Sequence, residues 1–294
     1  MLITHKQLQE INKVQIEILR AVAEVCERLN IVFYMVHGSL LGTIRSQGFV
    51  PDDDDIDIAF FRKDYEVFVK EAPKILAKQY FIQTYQTDAG YPLPFGKVRD
   101  SRTTYIIEDA KHIKMNHGIY IDVFPIDFCS VGSFRAKISA ARYKLLNVRI
   151  SNVYRVSGES AVKRFARSLT KVLIPSQSCA IRSREKLLTS VEAGLFVRIS
   201  GGKATEQCMP VSWFETPKKD VFEGIPVSIP AGYKNYLAQI YGDYQNRTLV
   251  EDKISNAESI EINACAVDTN KPFTEYDRAY ADGGTHGEVE RSLH

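Results

Sequence analysis

The sequence predicts an α+β fold in which a mixed β-sheet core carries flanking helices and an added basic helical region. A long amphipathic helix opens the chain, short β-branched and aromatic runs bounded by turn residues follow, and the middle of the chain is helical and rich in Lys and Arg. With 294 residues and 45% hydrophobic content, the chain can bury one sizeable core or two smaller ones.

The first helix is predicted from about His5 to Leu29, because apolar residues recur there at helical spacing with charges between them. Strands are expected at 31–36, 56–61, 80–85, 95–99, 103–107 and 119–124, and a hairpin at 221–229. Helices are expected at 40–45 (short), 63–77, 134–171 (basic), around 180–188 and at 233–241. We therefore expect a catalytic core at residues 1–130, helical and C-terminal elements packed on it at 131–250, and a flexible tail at 251–294.

Charge is unevenly distributed, although 38 basic residues nearly balance 36 acidic ones. Thirteen Lys and Arg but only two Glu lie between Ser133 and Ser190, whereas Pro51 to Asp57 carries five Asp. An acidic pocket beside a basic region suits an enzyme that holds cations and anionic substrates together.

A cytoplasmic location is expected from the cysteines and the apolar runs. The five cysteines are scattered and lack metal-ligand or redox spacing, which indicates reduced thiols. Charged residues interrupt every apolar run near the N-terminus, so we predict no signal peptide, and no run approaches the roughly 20 apolar residues that span a bilayer. Any membrane contact is expected to be peripheral, at the inner face of the membrane.

The acidic run before the second strand is the strongest functional signal. On a strand, Asp55 and Asp57 point to the same face. Two like charges ~4 Å apart repel by on the order of 4 kcal/mol at an effective dielectric of ~20, so their convergence predicts a hard cation, Mg²⁺ or Mn²⁺. A solvated acidic turn is the alternative. A calcium loop does not fit, because the Asp residues are contiguous and no Gly or bidentate Glu follows.

A Gly-Ser pair supplies the second element. Gly38 lets the backbone approach a ligand closely, Ser39 can cap the following helix, and the exposed N–H groups would bind a phosphate. A strand, Gly-Ser, a helix and then Asp-x-Asp on a strand form the signature of the nucleotidyltransferase fold, which uses a third carboxylate from a later strand. Asp122 is the candidate for that carboxylate, with a capping role at the Pro125 turn as the alternative.

Basic side chains near these carboxylates are candidates for the donor phosphates. Lys97 and Arg99 alternate on one predicted strand and could both face a diphosphate. Arg45, at the end of the short helix, is a weaker candidate, since surface solvation explains it almost as well. Asp53 is expected to lie next to the metal or behind its ligands.

Four segments resemble the motifs of the LicD family, whose members are similar to fukutin-related proteins. The segments are 37–45 continued through 48–58, then 97–100, 121–127 and 241–244. The resemblance covers roughly residues 1–245, although Pro51-Asp52 stands where the family usually has Pro-Trp.

The resemblance implies transfer of a phospho-alcohol, which we expect to be phosphocholine, from a CDP-linked donor such as CDP-choline. The acceptor would be a sugar hydroxyl of a cell-surface glycan such as lipopolysaccharide or teichoic acid. Asp55, Asp57 and Asp122 would then be catalytic metal ligands, and Gly38, Ser39, Arg45, Asp53, Lys97 and Arg99 would bind substrate. The alternatives are a nucleotidyltransferase that adds a nucleotide to a small molecule or RNA, and a non-catalytic glycan-binding homologue.

The basic helices are expected to meet an anionic partner. Their apolar stripe, Phe134, Ile138, Ala141, Leu145 and Val148, is expected to pack on the core. The Lys and Arg residues of 134–171 face so few acids that we expect a membrane leaflet with a lipid-linked glycan acceptor, or a phosphate-rich glycan, to bind there. No nucleic acid is expected.

Overall fold

The computed structural model describes residues 1–151, 168–174, 176–201, 208–245 and 259–276. The helices are α1 (His5–Leu29), α2 (His37–Ser46), α3 (Arg62–Ile75), α4 (Phe134–Ile150), α5 (Gln177–Leu188) and α6 (Tyr233–Tyr241). The strands are β1 (Leu2–Ile3), β2 (Tyr34–Met35), β3 (Asp57–Phe61), β4 (Tyr80–Gln83), β5 (Gly96–Asp100), β6 (Thr104–Ile106), β7 (Ile119–Cys129), β8 (Phe196–Ile199), β9 (Met209–Pro210), β10 (Lys218–Phe222), β11 (Ile225–Ile229), β12 (Ile260–Glu261) and β13 (Ala266–Asp268).

A mixed seven-stranded sheet organises the fold, which confirms the predicted α+β class. Its main path runs β2-β3-β7-β5-β4, and β8 and β9 extend it from β7. β3 and β7 pair in parallel, whereas β5 and β8 pair with β7 in the antiparallel sense. The eleven residues of β7 therefore touch three neighbours, and almost all of them are buried.

Helix α1 has the predicted bounds and clear local causes. Thr4 and Gln7 form a capping box at its start, and Asn30 adopts a left-handed conformation, with φ of 51°, at its end. Its inner face buries Leu8, Ile11, Ile18 and other apolar residues. The helix packs mainly on β7 and α3, so it lies directly behind the centre of the sheet.

The chain around Gly38-Ser39 differs from the expectation. The strand before it is shorter than predicted, because only Tyr34–Met35 pair with β3. Helix α2 begins at His37, so Gly38 and Ser39 lie inside its first turn and Ser39 is not its cap. Val36 occupies the N-cap position, and no side chain caps the start of this helix with a hydrogen bond.

Part of the segment expected to be a flexible tail is structured. β12 pairs with β1, and β13 pairs with β6. Ile260, Ile262 and Ala264 are buried with Leu8, Ile11 and Tyr105. The prediction of a tail from residue 251 was therefore wrong for residues 259–276, because apolar residues in a polar stretch find partners that are distant in sequence.

The apolar stripe of the basic region also faces the opposite way from the prediction. α4 buries Tyr143, Leu146 and Ile150, and its neighbour α5 contributes Ala180 and Ile181 to the same cluster. The predicted core stripe is exposed instead. The sequence also predicts a second apolar stripe, formed by Val162, Phe165, Ala166, Leu169 and Val172. It falls largely on residues 152–167, which lie outside the described residues, as do Arg155, Lys163, Arg164 and Arg167.

Candidate active site

The register of three neighbouring strands places three charged residues in one row. Asp57, the first residue of β3, lies opposite Asp122 on β7, and Asp122 lies opposite Lys97 on β5. Residues directly opposite each other project from the same face of a sheet with Cβ atoms ~5 Å apart. The backbone pairing alone therefore brings these three side chains together.

Asp55 completes a cluster of three carboxylates. It lies just before β3, and one oxygen each from Asp55, Asp57 and Asp122 lies within 4.8 Å of the others. Asp57 and Asp122 are each 8% exposed, and Asp55 is partly buried. Within the described residues, this is the one group of three or more acidic, His or Cys side chains close enough to share a metal ion.

Burial and mutual repulsion act on the protonation of this cluster. Burial raises the pKa of Asp55 to about 7, and the charges of Asp122 and Asp54 add to the rise. Burial and the neighbouring Asp55 raise the pKa of Asp57 well above its usual range. Burial also raises the pKa of Asp122, although Lys97 opposes that shift. The site thus holds more negative charge than its own residues neutralise.

A hard divalent cation fits this donor set. All three side chains offer oxygen, which Mg²⁺ and Mn²⁺ prefer, and two of them are buried firmly enough to fix their positions. A bound cation would also favour the charged carboxylates that burial disfavours. The residues present therefore fit the predicted metal.

Lys97 is the basic residue of the site. Its side chain is almost fully buried, forms an ion pair with Asp122 and lies over the Tyr120 ring at 3.4 Å from the centroid. Burial lowers the pKa of Lys97, while Asp122 opposes that change. Lys97 thus lies beside the carboxylates, and its contact with a donor phosphate stays a prediction.

The other predicted basic residues are placed differently. Arg99 is fully buried, donates to the Gly118 carbonyl at 2.6 Å and to the Gln83 side chain, and lies over the Tyr120 ring. Its described contacts are therefore with the protein core, two residues further along β5 than Lys97. Arg45 is exposed at the end of α2.

The Gly-Ser pair contributes through close packing. Ser39 is buried, and its hydroxyl accepts a hydrogen bond from the Asp57 N–H at 2.8 Å. A Cβ atom on Gly38 would lie 2.7 Å from a carboxylate oxygen of Asp53. Gly38 therefore allows the acidic loop to approach the first turn of α2, and Ser39 fixes the start of β3, where Asp57 begins.

Two residues that the sequence analysis did not identify hold the acidic loop. The Gln15 amide on α1 donates to the Asp54 carbonyl at 2.7 Å and to the Tyr120 carbonyl at 3.2 Å. The Tyr105 hydroxyl donates to the Asp54 carboxylate. Gln15 could have been noticed, because it is a polar residue within the buried stripe of α1. Tyr105 carried no comparable signal.

Comparisons with known proteins find similarity over the part of the chain that carries these residues. Residues 30–128 match the family described as LicD/FKTN/FKRP, nucleotidyltransferase domain. Over 254 residues the chain is 27% identical to the lipopolysaccharide cholinephosphotransferase LicD of Haemophilus influenzae, a similarity that covers 84% of this chain and 94% of that protein. All three carboxylates, Lys97 and Ser39 lie within residues 30–128.

Proposed function

We propose that this chain, whose residues 30–128 match the LicD family, transfers phosphocholine from CDP-choline to a sugar hydroxyl of a cell-surface glycan. The observation that carries the proposal is the cluster of Asp55, Asp57 and Asp122, with Lys97 in the same row of the sheet. The name of the Haemophilus influenzae relative supports choline phosphate as the group and lipopolysaccharide as the kind of acceptor.

In this proposal the carboxylates hold a divalent cation. Asp55, Asp57 and Asp122 would be its ligands, and Mg²⁺ or Mn²⁺ would neutralise the charge that develops on the donor phosphates. Phosphoryl transfer depends mainly on positioning and on charge neutralisation, which suits a site made of fixed, buried charges.

Lys97 and Asp122 have complementary roles in the transfer. Lys97 would donate hydrogen bonds to a non-bridging oxygen of the transferred phosphate, since its ammonium already lies beside Asp122. The bond from the phosphocholine phosphorus to the CMP oxygen breaks, and a bond to the sugar oxygen forms. The proton leaving the sugar hydroxyl would pass to a carboxylate oxygen of Asp122, the residue that pairs with Lys97.

An aromatic cage could hold the choline group by cation–π contact, and the sequence offers four aromatic residues for it: Tyr91, Phe95, Tyr120 and Trp213. Tyr91 is buried beside Ala110 and Met115, whereas Phe95 and Tyr120 both lie near Lys97. Trp213 packs beside Gly232. Of these four residues, Phe95 and Tyr120 would therefore border a donor bound beside Lys97.

The test is a product analysis with CDP-choline labelled in the choline, purified lipopolysaccharide and Mg²⁺. We expect the glycan to gain the mass of phosphocholine and CMP to be released. Gain of a CMP group by the acceptor, with release of phosphocholine, would instead identify a nucleotidyltransferase. Asp57→Asn should abolish the gain, while Glu24→Gln, a matched loss of charge on the exposed face of α1, should retain it. Failure with every acceptor and metal tested would contradict the proposal.

A further inference from the structure

The outward face of α4 carries a continuous apolar stripe. Phe134 is 77% exposed, Ile138 45%, Leu145 42% and Val148 37%, and Ala141 between them is exposed as well. These five residues follow one another at spacings of three and four, so they form one line along the helix. Large exposed apolar side chains gathered in one stripe mark a contact surface rather than ordinary protein surface.

This stripe is distinct from the face that holds α4 on the protein. Tyr143, Leu146 and Ile150 point inward and are buried. At 100° per residue, the centre of the exposed stripe lies roughly opposite these three positions. α4 is therefore apolar on two faces, and packing against α5 accounts for only the inner one.

Basic residues border the exposed stripe on both sides. Arg135 and Arg142 lie on one side, Lys137 and Lys144 on the other, and all four are exposed. The sequence of α4 contains no Asp or Glu. An apolar line with long cationic side chains on each flank is the pattern of a helix lying in a membrane interface, where Lys and Arg extend to the lipid phosphates.

A second exposed apolar group lies near the end of α4. Leu169, Val172 and Leu173 are 49%, 77% and 62% exposed. Arg149 of α4 donates to the Ile174 carbonyl at 2.6 Å, which holds this group beside the C-terminal end of the helix. Lys171 lies within the group, so the same combination of apolar and cationic side chains recurs there.

We propose that α4 binds an anionic lipid bilayer, lying in the plane of the interface with its outward stripe among the acyl chains. Charge complementarity favours lipid over a protein partner, because the cations on both flanks match a continuous anionic surface. A soluble phosphate-rich glycan could form ion pairs with the Lys and Arg residues, but it would not bury the side chains of Phe134 and Ile138. Seventeen helical residues give a contact line of about 25 Å. This inference does not depend on the proposed chemistry, so it is tested by binding rather than by turnover.

The experiment is co-sedimentation of the full chain with vesicles of phosphatidylglycerol and phosphatidylcholine, compared with vesicles of phosphatidylcholine alone. We expect binding to the anionic vesicles that weakens with salt. Phe134→Ser combined with Ile138→Ser should weaken it by at least about tenfold. Arg142→Gln combined with Lys144→Gln should weaken it by about fivefold per charge at low salt.

Matched controls separate the stripe from general surface properties. Val221→Ser removes a valine that is also 37% exposed, but on β10, and Lys6→Gln with Arg20→Gln removes two exposed charges from α1. Both controls should bind like the unaltered chain, and unchanged thermal midpoints should show that all variants fold. Unaltered vesicle binding by the Phe134 and Ile138 variant would overturn the proposal. So would a lipid-free dimer that this variant dissociates, since a second copy would then be the occupant.

Discussion

Asp57 is a buried carboxylate whose charged form is unfavourable in the metal-free protein. Burial and Asp55 raise its pKa well above the usual range, so its charged form destabilises the metal-free protein at neutral pH. We expect Asp57→Asn to lower transfer by at least about a hundredfold and to raise the thermal midpoint in EDTA by about 2 °C or more. Thermal unfolding and product assays on the same preparation check both effects, and normal transfer with saturating Mg²⁺ would refute the metal assignment.

The raised pKa values also predict how stability depends on pH. For an acid whose pKa is higher in the folded state, the folded protein binds more protons between the two pKa values, so stability falls as pH rises through that window. Burial raises the pKa of Asp55 to about 7 from an ordinary value near 4. Metal-free protein should therefore lose stability between about pH 4 and pH 7.

Denaturant unfolding at several pH values with EDTA measures this slope, and saturating Mg²⁺ should flatten it. Asp55→Asn serves as the control, because it removes one titrating group while keeping the side chain's size. A variant whose slope equals that of the unaltered protein would show that Asp55 does not titrate in this window.

Asp122 and Lys97 illustrate what single residues reveal in sequence. The apolar residues around Asp122 indicated a buried carboxylate on a strand, and β7 is that strand. The opposing position of Lys97 depends on strand register, which periodicity does not specify between distant segments. Similarly, no sequence spacing relates Cys129 to Cys208, whose sulfur atoms lie 2.9 Å apart in the fold.

At the scale of elements, α1 positions the acidic loop through Gln15. Its amide bridges the carbonyl that precedes Asp55 and the carbonyl two residues before Asp122. We expect Gln15→Leu to raise the Mg²⁺ concentration needed for half-maximal transfer by about tenfold, because the two segments are no longer tied together. Gln9→Leu, an exposed change on the same helix, should leave that concentration unchanged.

A merely structural role for Gln15 makes a different prediction. It would lower the unfolding midpoint and the maximal rate together without changing the metal requirement. A tenfold rise in the Mg²⁺ concentration needed for half-maximal transfer, with an intact fold, would therefore support a positioning role for Gln15. An unchanged Mg²⁺ concentration would contradict that role.

Elements with strong local causes were predictable, and elements fixed by distant partners were not. Apolar periodicity predicted α1 correctly, and α6 also has the predicted bounds. The outward direction of the α4 stripe was missed, because the helix is apolar on two sides and periodicity does not tell which side meets the core. β12 and β13 were missed because two or three residues carry no periodic signal.

At the scale of the whole molecule, the segment 259–276 closes one side of the core. Ile260 and Ile262 are 4% and 5% exposed and pack with residues of α1 and β6. We expect Ile260→Ala or Ile262→Ala to lower the free energy of unfolding by about 2–4 kcal/mol each. Glu261→Ala, an exposed change between them, should change it by less than about 0.5 kcal/mol. Equal effects of all three in denaturant unfolding would show that this segment does not pack as described.

In the part of the chain that the structure describes, no helix combines the length and apolarity needed to span a bilayer. If α4 binds lipid as proposed, salt would control the contact between the protein and a membrane that carries a lipid-linked acceptor.

The parallel pairing of β3 with β7 has a consequence for the stage of folding at which the proposed cation site forms. The two strands lie far apart in the sequence, and pairings of this kind form late, after the entropy of closing a long loop has been overcome. A chain in which this pairing has not formed would hold Asp57 and Asp122 apart and would lack the proposed cation site. Tight Mg²⁺ or Mn²⁺ binding would therefore report completion of the central sheet, and stopped-flow refolding should show metal uptake in the slowest phase.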